Sequence, residues 1–234
     1  MDISLYTNPD LYQRIQLSRP DYKGTIIAIN NFSLKHQEFS SILDLCGGNG
    51  YFSSLIATNT SVKKVTLLDI NKGLLDQAHK LSWGASIVSP IQADVLDYAL
   101  PENHFNLVLS IFAYHHIADA QKLTYIQNAY NTLKPSGLML VGEIYSPNKQ
   151  STLNYYEALL KEIPEEYQTK ELRQFLMETA QSDNFEFKVP KKYADEQFAK
   201  IGFTLIEEKK IWAPSNIDQN IGTFLQIYQR PSSI

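Results

Sequence analysis

The stretch Ser41-Ile42-Leu43-Asp44-Leu45-Cys46-Gly47-Gly48-Asn49-Gly50-Tyr51-Phe52 decides the fold of this chain. A short apolar run that contains Asp44 is followed by glycines. After them comes a helix-like pattern that puts Phe52, Leu55 and Ile56 on one face. This order predicts a strand, a tight turn and a helix. Glycines let the backbone pass close to a ligand, and a helix start offers free N–H groups and partial positive charge. The turn is therefore a candidate ligand site; the alternative is a glycine-rich turn without a ligand.

Length and composition narrow the class of protein. The 234 residues fit one α/β domain with a decoration, or two small domains. The formal net charge is -4 and no long basic run occurs, so nucleic acid is not expected as a partner. The single cysteine excludes an internal disulfide. The first residues lack a signal-peptide pattern and no apolar segment is long enough to span a bilayer, so we expect a cytoplasmic protein without a membrane partner.

Apolar strand-like runs alternate with helix-like segments after the glycine turn. The predicted strands cover residues 62–70, 84–88, 105–111 and 138–144, with Pro90 ending the third and Asp119 capping the helix after the fourth. Connections of this length are too long for hairpins, so we predict a doubly wound α/β sheet, mostly parallel, with helices on both faces. Two late strands, 203–212 and 222–229, have no helix between them and should form an antiparallel pair at the sheet edge.

Three regions are predicted outside or around this repeat. Residues 1–36 read as an N-terminal helical lid, 37–147 and 184–234 as the core, and 148–183 as an inserted helical cap. Side chains of the lid that could reach a ligand are Tyr12, Arg14, Arg19 and Tyr22. The apolar and aromatic residues of the cap would suit a small organic acceptor, or they form only the core of the cap itself.

Polar residues recur where the predicted strands end. These residues are Asp44, Asp69, Asp94, Ser110 and Glu143. Ligands of such sheets bind outside the carboxyl ends of the strands, so the shared placement predicts a site built from several strands. For each acid the alternative is a residue that caps the following helix.

The ordered set of motifs resembles the class I S-adenosylmethionine-dependent methyltransferases, which have a Rossmann-like fold. The matching segments are the glycine loop 44–50, the acids within 68–70 and 93–95, the loop 110–117 with its two histidines, and the turn 133–138. The resemblance implies methyl transfer from S-adenosyl-L-methionine to an O-, N- or C-nucleophile of a small organic acceptor, with S-adenosyl-L-homocysteine as product.

The resemblance also implies which residues hold the cofactor. They are Asp44, Cys46, Gly48, Gly50, Asp69, Ile70, Asp94, Val95 and Ser110. Asp69 would accept hydrogen bonds from both ribose hydroxyls, because a carboxylate offers two oxygens at matching spacing. Asp94 would accept from the adenine amine beside the Val95 N–H. Asp44 would hold the loop and help to neutralise the cationic end of the cofactor.

One residue departs from the family loop, because Cys46 stands where the first glycine is expected. A left-handed conformation costs a residue with a Cβ about 1–2 kcal/mol. We therefore predict that Cys46 keeps a negative φ, and that Gly48 and Gly50 carry the unusual backbone. Cys46 is expected to be a small buried side chain rather than a nucleophile.

The catalytic candidates are His116, His115 and Glu143. Methyl transfer needs alignment of the reactants and exclusion of water, and a base would help a hydroxyl nucleophile. The alternative is that these residues hydrogen-bond the loop backbone, with Phe112 and Tyr114 walling the pocket. No metal is expected, because adjacent histidines are poorly spaced as ligands and no supporting carboxylate is evident.

Two other functions fit part of the pattern. An NAD(P)-dependent oxidoreductase would explain an acid at Asp69 after a glycine turn. The glycine motif of such enzymes, however, requires glycine where Ser53 stands, and this function leaves Asp94 without a role. A protein that binds S-adenosylmethionine without turnover would keep the cofactor residues alone. The sequence leaves open whether the chain forms a homodimer.

Overall fold

A computed structural model describes residues 9–181, 186–215 and 217–232 of the chain. The strands are β1 Ser41–Leu45, β2 Lys64–Asp69, β3 Ile87–Gln92, β4 Phe105–Ile111, β5 Leu133–Tyr145, β6 Thr204–Trp212 and β7 Gly222–Gln229. The α-helices are α1 Pro9–Ser18, α2 Pro20–Lys35, α3 Tyr51–Asn59, α4 Lys72–Leu75, α5 Lys122–Thr132, α6 Lys149–Glu162, α7 Lys170–Gln181 and α8 Lys191–Ile201. Short 3₁₀ turns lie at Ala78–Lys80, Tyr114–His116, Asp119–Gln121 and Glu165–Tyr167.

The strands form one seven-stranded sheet in the order β3-β2-β1-β4-β5-β7-β6. Strands β1 to β5 pair in parallel, and β7 pairs antiparallel with both β5 and β6. The predicted fold class and the late antiparallel pair are confirmed. The order reverses direction at β1, between β2 and β4, which is where a doubly wound sheet opens a crevice for a ligand.

Alternate side chains of the central strands enter two separate apolar cores. Ile42 packs on one face with Ile29 of α2 and Ile56 of α3. Its neighbour Leu43 packs on the other face with Tyr125 of α5 and other buried residues. Because successive strand residues point to opposite faces, continuous apolar runs are what a sheet covered on both sides requires.

Helices α6 and α7 pack on each other and on α1 in a third apolar cluster. Its centre includes Tyr155 and Leu159 of α6, Leu172 and Leu176 of α7, and Ile15 of α1. The apolar residues of the predicted cap therefore form a core that α1 shares through Ile15. Residues 1–8, and 182–185 at the end of the cap, lie outside the described residues, so the lid and cap boundaries stay predictions.

Two local predictions were wrong. Pro90 lies inside β3, opposite Leu67 of β2. Proline has no backbone N–H to donate, and an edge strand tolerates this because one of its sides makes no hydrogen bonds to another strand. Asp119 does not cap the helix after β4, since a 3₁₀ turn follows it and Gln121 precedes the first residue of α5. None of the helices in the described part of the chain combines the length and apolarity that a bilayer crossing requires.

Candidate active site

A cleft of about 480 Å³ opens at the carboxyl ends of β1 to β4. This volume falls within the range of small-molecule sites, roughly 300–1,000 Å³. Of the residues predicted for the site, the cleft is lined by Cys46, Gly48, Asp69, Ile70, Asp94, Val95 and His116. Asp69 and Asp94 follow different strands, so the crevice that the sequence predicts brings together acids that are distant in sequence.

The other predicted site residues lie behind the wall of the cleft. They are Asp44, Gly50, Ser110, His115 and Glu143, and none of them is a lining residue. Ser110 is fully buried and accepts a hydrogen bond of 2.7 Å from the Tyr125 hydroxyl. Strand-end placement alone therefore did not decide which of these groups reaches the cleft.

The Asp69 carboxylate is held by the backbone at the end of β2. Its Oδ2 accepts from the Gly48 N–H at 2.8 Å, and its Oδ1 accepts from the Asn71 N–H at 2.7 Å. Burial raises the pKa of Asp69, and these backbone hydrogen bonds act in the opposite direction. Each carboxylate oxygen keeps acceptor capacity, so the group can still receive two hydroxyl donors from the cleft.

Asp94 and Ile70 form the outer edge of the same end of the cleft. Asp94 is exposed, and its Oδ1 accepts from the Leu96 N–H at 2.9 Å. Ile70 is 69% exposed although it is a large apolar residue. An exposed apolar side chain beside an acceptor carboxylate suits a flat base with an exocyclic amine.

The prediction for Cys46 was wrong, because its φ is +53°. Gly48 and Gly50 do carry positive φ, at +56° and +77°. A Cβ at Gly47 would stand 2.5 Å from the Asp44 carboxyl carbon, so this position needs glycine for space. The Gly47 N–H donates to the Leu68 carbonyl at 3.3 Å, and this contact with β2 holds the turn that includes Cys46. Strain of this kind persists where the surroundings impose it.

The Cys46 side chain is less buried than predicted, and its lack of reactivity stays a prediction. It is half-buried against the apolar cluster of α5 and β4. Burial and the nearby acids Asp69, Asp44 and Asp94 raise its pKa. A thiol that stays protonated is a poor nucleophile.

Gly48 and Gly50 both have a positive φ, but only Gly50 is crowded, so alanine at each position separates the effects of backbone strain and of crowding on stability. An alanine Cβ at Gly50 would lie 2.6 Å from the Trp83 ring and 2.8 Å from Leu67, whereas at Gly48 it meets only Leu74, at 3.5 Å. Gly50→Ala should lower the free energy of unfolding by about 3 kcal/mol, since strain and overpacking add. Gly48→Ala should lower it by about 1–2 kcal/mol. Urea unfolding of both variants measures the difference, and equal losses would contradict the crowding at Gly50.

Asp44 is a buried carboxyl group beneath the loop. It is 3% exposed, and burial raises its pKa to about 7, with the Ser53 hydroxyl opposing this and Asp69 adding to it. Asp44 therefore supports the loop from below, where Gly47 rests on it, and does not itself face the cleft.

The raised pKa of Asp44 predicts a pH-dependent stability. The pKa of Asp44 is 3.8 in the unfolded chain and about 7 in the folded one, so folding takes up a proton between these two pH values. The contribution of Asp44 to the free energy of unfolding of the wild type therefore falls as pH rises from 3.8 to about 7, and it is constant at higher pH. Asp44→Asn removes the titrating group and with it this fall in stability. Between pH 4 and pH 8 the free energy of unfolding of the variant should rise relative to that of the wild type by up to roughly 4 kcal/mol. Denaturant unfolding across that range tests this, with exposed Asp76→Asn as control; parallel curves for wild type and Asp44→Asn would contradict it.

The three catalytic candidates separate into one cleft residue and one buried pair. His116 lines the cleft, and its ring centroid lies 4.1 Å from that of His115. The His115 Nδ1 is 2.5 Å from Glu143 Oε1, and its backbone N–H donates to Glu143 Oε2 at 3.1 Å. Burial lowers the pKa of His115 and raises that of Glu143. A neutral His115 donates its Nδ1–H to the carboxylate, so this pair fixes the loop behind His116.

Lys122 at the start of α5 also fixes this loop. Its side chain is fully buried, and Nζ donates to the carbonyls of Tyr114 at 3.0 Å and Ile117 at 2.6 Å. The ammonium lies 4.3 Å from the centroid of the Tyr114 ring. Burial lowers the pKa of Lys122 to about 8. A buried lysine with these partners closes the turn that carries His116.

A carboxylate that the sequence did not suggest lies beside the two histidines. His115, His116 and Glu186 have potential ligand atoms within 4.8 Å of one another. The reasoning that no supporting carboxylate exists was therefore wrong. Lys188, however, contacts the Glu186 carboxylate, and Lys188, Lys122 and Arg19 together lower the pKa of His115. This positive surrounding opposes a metal cation, so the absence of a metal stays a prediction.

The rest of the cleft is lined by residues that were not predicted individually, although Gly47, Asn49 and Ile117 belong to the predicted loops 44–50 and 110–117. They include Gly47, Asn49, Tyr51, Phe52, Asn71, Leu74, Leu96, Ile117, Ala118 and Gln121. Phe112 and Tyr22 line the cleft as suggested. Tyr114 does not, because it is 1% exposed and its hydroxyl donates to Gln197 at 2.7 Å. Tyr12 lies where side chains are not described, and Arg19 turns away to pair with Asp21.

Comparisons with known proteins agree with this architecture. The family described as "Methyltransferase domain" matches residues 42–137, which include β1 to β4 and the cleft loops. The ubiquinone/menaquinone biosynthesis C-methyltransferase UbiE of Psychromonas ingrahamii is 31% identical over 123 residues, covering 50% of this chain and 47% of that protein. The N-methyltransferase NodS of Bradyrhizobium japonicum, solved with S-adenosyl-L-homocysteine, superposes with a TM-score of 0.61 at 15% identity, covering 95% of this chain and 99% of that one.

The chain thus contains a segment that matches the methyltransferase domain, and it has the same fold as the solved N-methyltransferase. It spans about half the length of the curated relatives that it matches. A further methyltransferase-like structure is titled the [4+2]-cyclase SpnF, with a TM-score of 0.60 at 10% identity, covering 88% of this chain and 81% of that one. The class I fold thus also occurs in a protein named for a different reaction, and the function has to be argued from the cleft.

Proposed function

We propose that this chain transfers a methyl group from S-adenosyl-L-methionine to an O-, N- or C-nucleophile of a small organic acceptor. The observation that carries the proposal is the cleft shared by Asp69, Asp94 and the glycine loop. Acids from two strands around one crevice fit a nucleoside, whose sugar hydroxyls and base amine are separate donors. The match of residues 42–137 to the methyltransferase domain supports this assignment.

Part of the predicted cofactor set lines the cleft and supports binding of the cofactor there. Asp69 would accept from the ribose hydroxyls, since both of its oxygens keep acceptor capacity beside Gly48 and Asn71. Asp94 and the Val95 N–H would meet the adenine edge, against the apolar side chain of Ile70. When bound, S-adenosyl-L-methionine would supply a methyl group from its sulfonium sulfur; the sulfur keeps the electron pair of the broken bond, and S-adenosyl-L-homocysteine is the product.

The residues of the chain supply orientation, exclusion of water and a base. His116 is the candidate base, because it lines the cleft on the loop after β4. Its imidazole would take the proton of a hydroxyl acceptor. His115 and Glu143 would act through the loop, since both are buried behind the cleft wall. The rings around the cleft would keep water from the reacting atoms.

Ligand-dependent melting separates this proposal from the oxidoreductase. S-adenosyl-L-homocysteine should raise the melting temperature of the chain, by the equivalent of about 2.7 kcal/mol at a hundred times its Kd. NADH at the same concentration should leave it unchanged. Stabilisation by NADH alone would contradict the proposal.

A protein that binds the cofactor without turnover is the second candidate. A solved structure of similar fold is titled as a cyclase, so the fold alone does not imply methyl transfer. Transfer of labelled methyl from S-adenosyl-L-methionine to a panel of small acceptors separates the two. Binding without transfer to any acceptor would favour the second candidate.

Other expectations about partners stay predictions. These are a cytoplasmic location, no nucleic-acid partner, a homodimer left open, the lid at 1–36 and the cap at 148–183. Sedimentation of the purified chain measures the oligomeric state directly.

A further inference from the structure

Aromatic rings wall the end of the cleft that lies over β1 and β4. Tyr22 of α2, Tyr51 and Phe52 of α3, and Phe112 after β4 all line it. The Tyr22 ring lies 4.7 Å from Phe52, 5.8 Å from Phe112 and 6.0 Å from Tyr51, measured between centroids. We name these four residues the aromatic corner. Asp69 and Asp94 lie at the other end, over β2 and β3, so the corner is separate from the predicted nucleoside site.

Phe112 is held in the corner against its backbone preference. Its φ is +53°, which is rare for a bulky side chain and costs free energy. Its N–H donates to the Gly142 carbonyl at 2.7 Å, and its ring stacks on Tyr22 at an interplanar angle of 11°. The Arg19 guanidinium lies 5.7 Å from the ring centroid. Contacts on the backbone and on the ring together impose this conformation, which places the ring in the cleft.

In the part of the chain that the structure describes, no lysine or arginine lines the cleft, this end included. The nearby Arg19 donates to Asp21 at 3.0 Å and 2.6 Å. Lys122 donates to loop carbonyls. An anionic acceptor would lose its hydration without gaining an ion pair, and it would be repelled by Asp69 and Asp94.

We propose that the acceptor is an uncharged, planar aromatic compound bearing a hydroxyl group, and that its ring packs in the aromatic corner with Phe112 as the residue that selects it. This inference rests on the proposed function and names its substrate class. Aromatic rings prefer stacked or edge-to-face contacts with one another over contacts with saturated rings. His116 lies on the same loop as Phe112, and in this proposal its imidazole contacts the hydroxyl group of the acceptor.

The test is acceptor binding to the full chain saturated with S-adenosyl-L-homocysteine, measured by calorimetry. The probes are 2-naphthol, 6-hydroxy-2-naphthoate and decahydro-2-naphthol, which share a bicyclic skeleton and a hydroxyl. We expect 2-naphthol to bind, and the carboxylate and the saturated alcohol to bind at least about tenfold more weakly. Equal or tighter binding of either analogue overturns the proposal, as does no binding of 2-naphthol. Failure of S-adenosyl-L-homocysteine itself to bind contradicts the proposed function instead.

A matched pair of variants assigns the selection to Phe112. Phe112→Leu keeps an apolar side chain and the strained backbone but removes the ring, so 2-naphthol should bind about three- to tenfold more weakly. Phe32→Leu makes the same change in the core, where Phe32 is 3% exposed and does not line the cleft, and should leave 2-naphthol binding unchanged. Unchanged binding in Phe112→Leu overturns the role of Phe112. A variant that loses affinity for S-adenosyl-L-methionine but not for 2-naphthol would place the rings at the methyl donor and overturn it also.

Discussion

Asp69→Ala should weaken binding of S-adenosyl-L-homocysteine by at least about 100-fold while the chain stays folded. Two hydrogen bonds from ribose hydroxyls to a charged acceptor are each worth about 1.5–3 kcal/mol, and the variant loses both. It also releases the Gly48 and Asn71 N–H groups, which the carboxylate now holds at 2.8 Å and 2.7 Å. Calorimetry gives the affinity, and circular dichroism checks the fold.

The control for Asp69 is an acid outside the cleft. Asp76 is exposed, and its carboxylate pairs with Lys72 one helical turn away. Asp76→Ala should leave the affinity for S-adenosyl-L-homocysteine unchanged. An Asp69→Ala variant that binds as tightly as this control would remove Asp69 from the site and with it the main support for the proposed function.

His116→Ala should lower the turnover of a hydroxyl acceptor by about 100-fold or more, with little change in cofactor affinity. General-base catalysis contributes roughly 10²–10⁴-fold, and the imidazole is the group of the cleft that is suited to the task. Because Asp69 and Asp94 occupy the other end of the cleft, removal of the ring should not alter the contacts predicted for the nucleoside. Steady-state kinetics and calorimetry measure the two quantities separately.

The surface histidine His79 provides the matched control for this change. His79 is exposed and does not line the cleft. His79→Ala should keep full turnover. If His116→Ala keeps it as well, the histidine has a structural role, as His115 has through its contact with Glu143.

The sheet could be predicted from the sequence because its signals are local. Apolar runs such as β4, Phe105–Ile111, mark buried strands, and glycines mark the turn after β1. The order of elements then limits the topology, since parallel strands need crossovers. Acids that follow strands β2 and β3 must lie at one edge of such a sheet, which is why Asp69 and Asp94 share a cleft.

The conformation of Cys46 and the surroundings of His115 depend on contacts between distant segments. The Gly47 N–H donates to the Leu68 carbonyl of β2, and Asp44 lies under Gly47, so the turn that includes the left-handed Cys46 is held by other segments. Glu186 reaches His115 from a segment far along the chain, and Lys122 reaches the same loop from α5. No local pattern encodes such contacts.

Hydrophobic period and chain connectivity are enough to predict the order of strands and helices, the glycine turn and the edge of the sheet at which the acids gather. Tertiary packing selected which strand-end groups face the cleft. It buried Asp44, Ser110 and Glu143 and left Asp69 and His116 lining the cleft. The physical reason is that exposure depends on what packs against a side chain from other elements, which the residue and its neighbours in sequence do not specify.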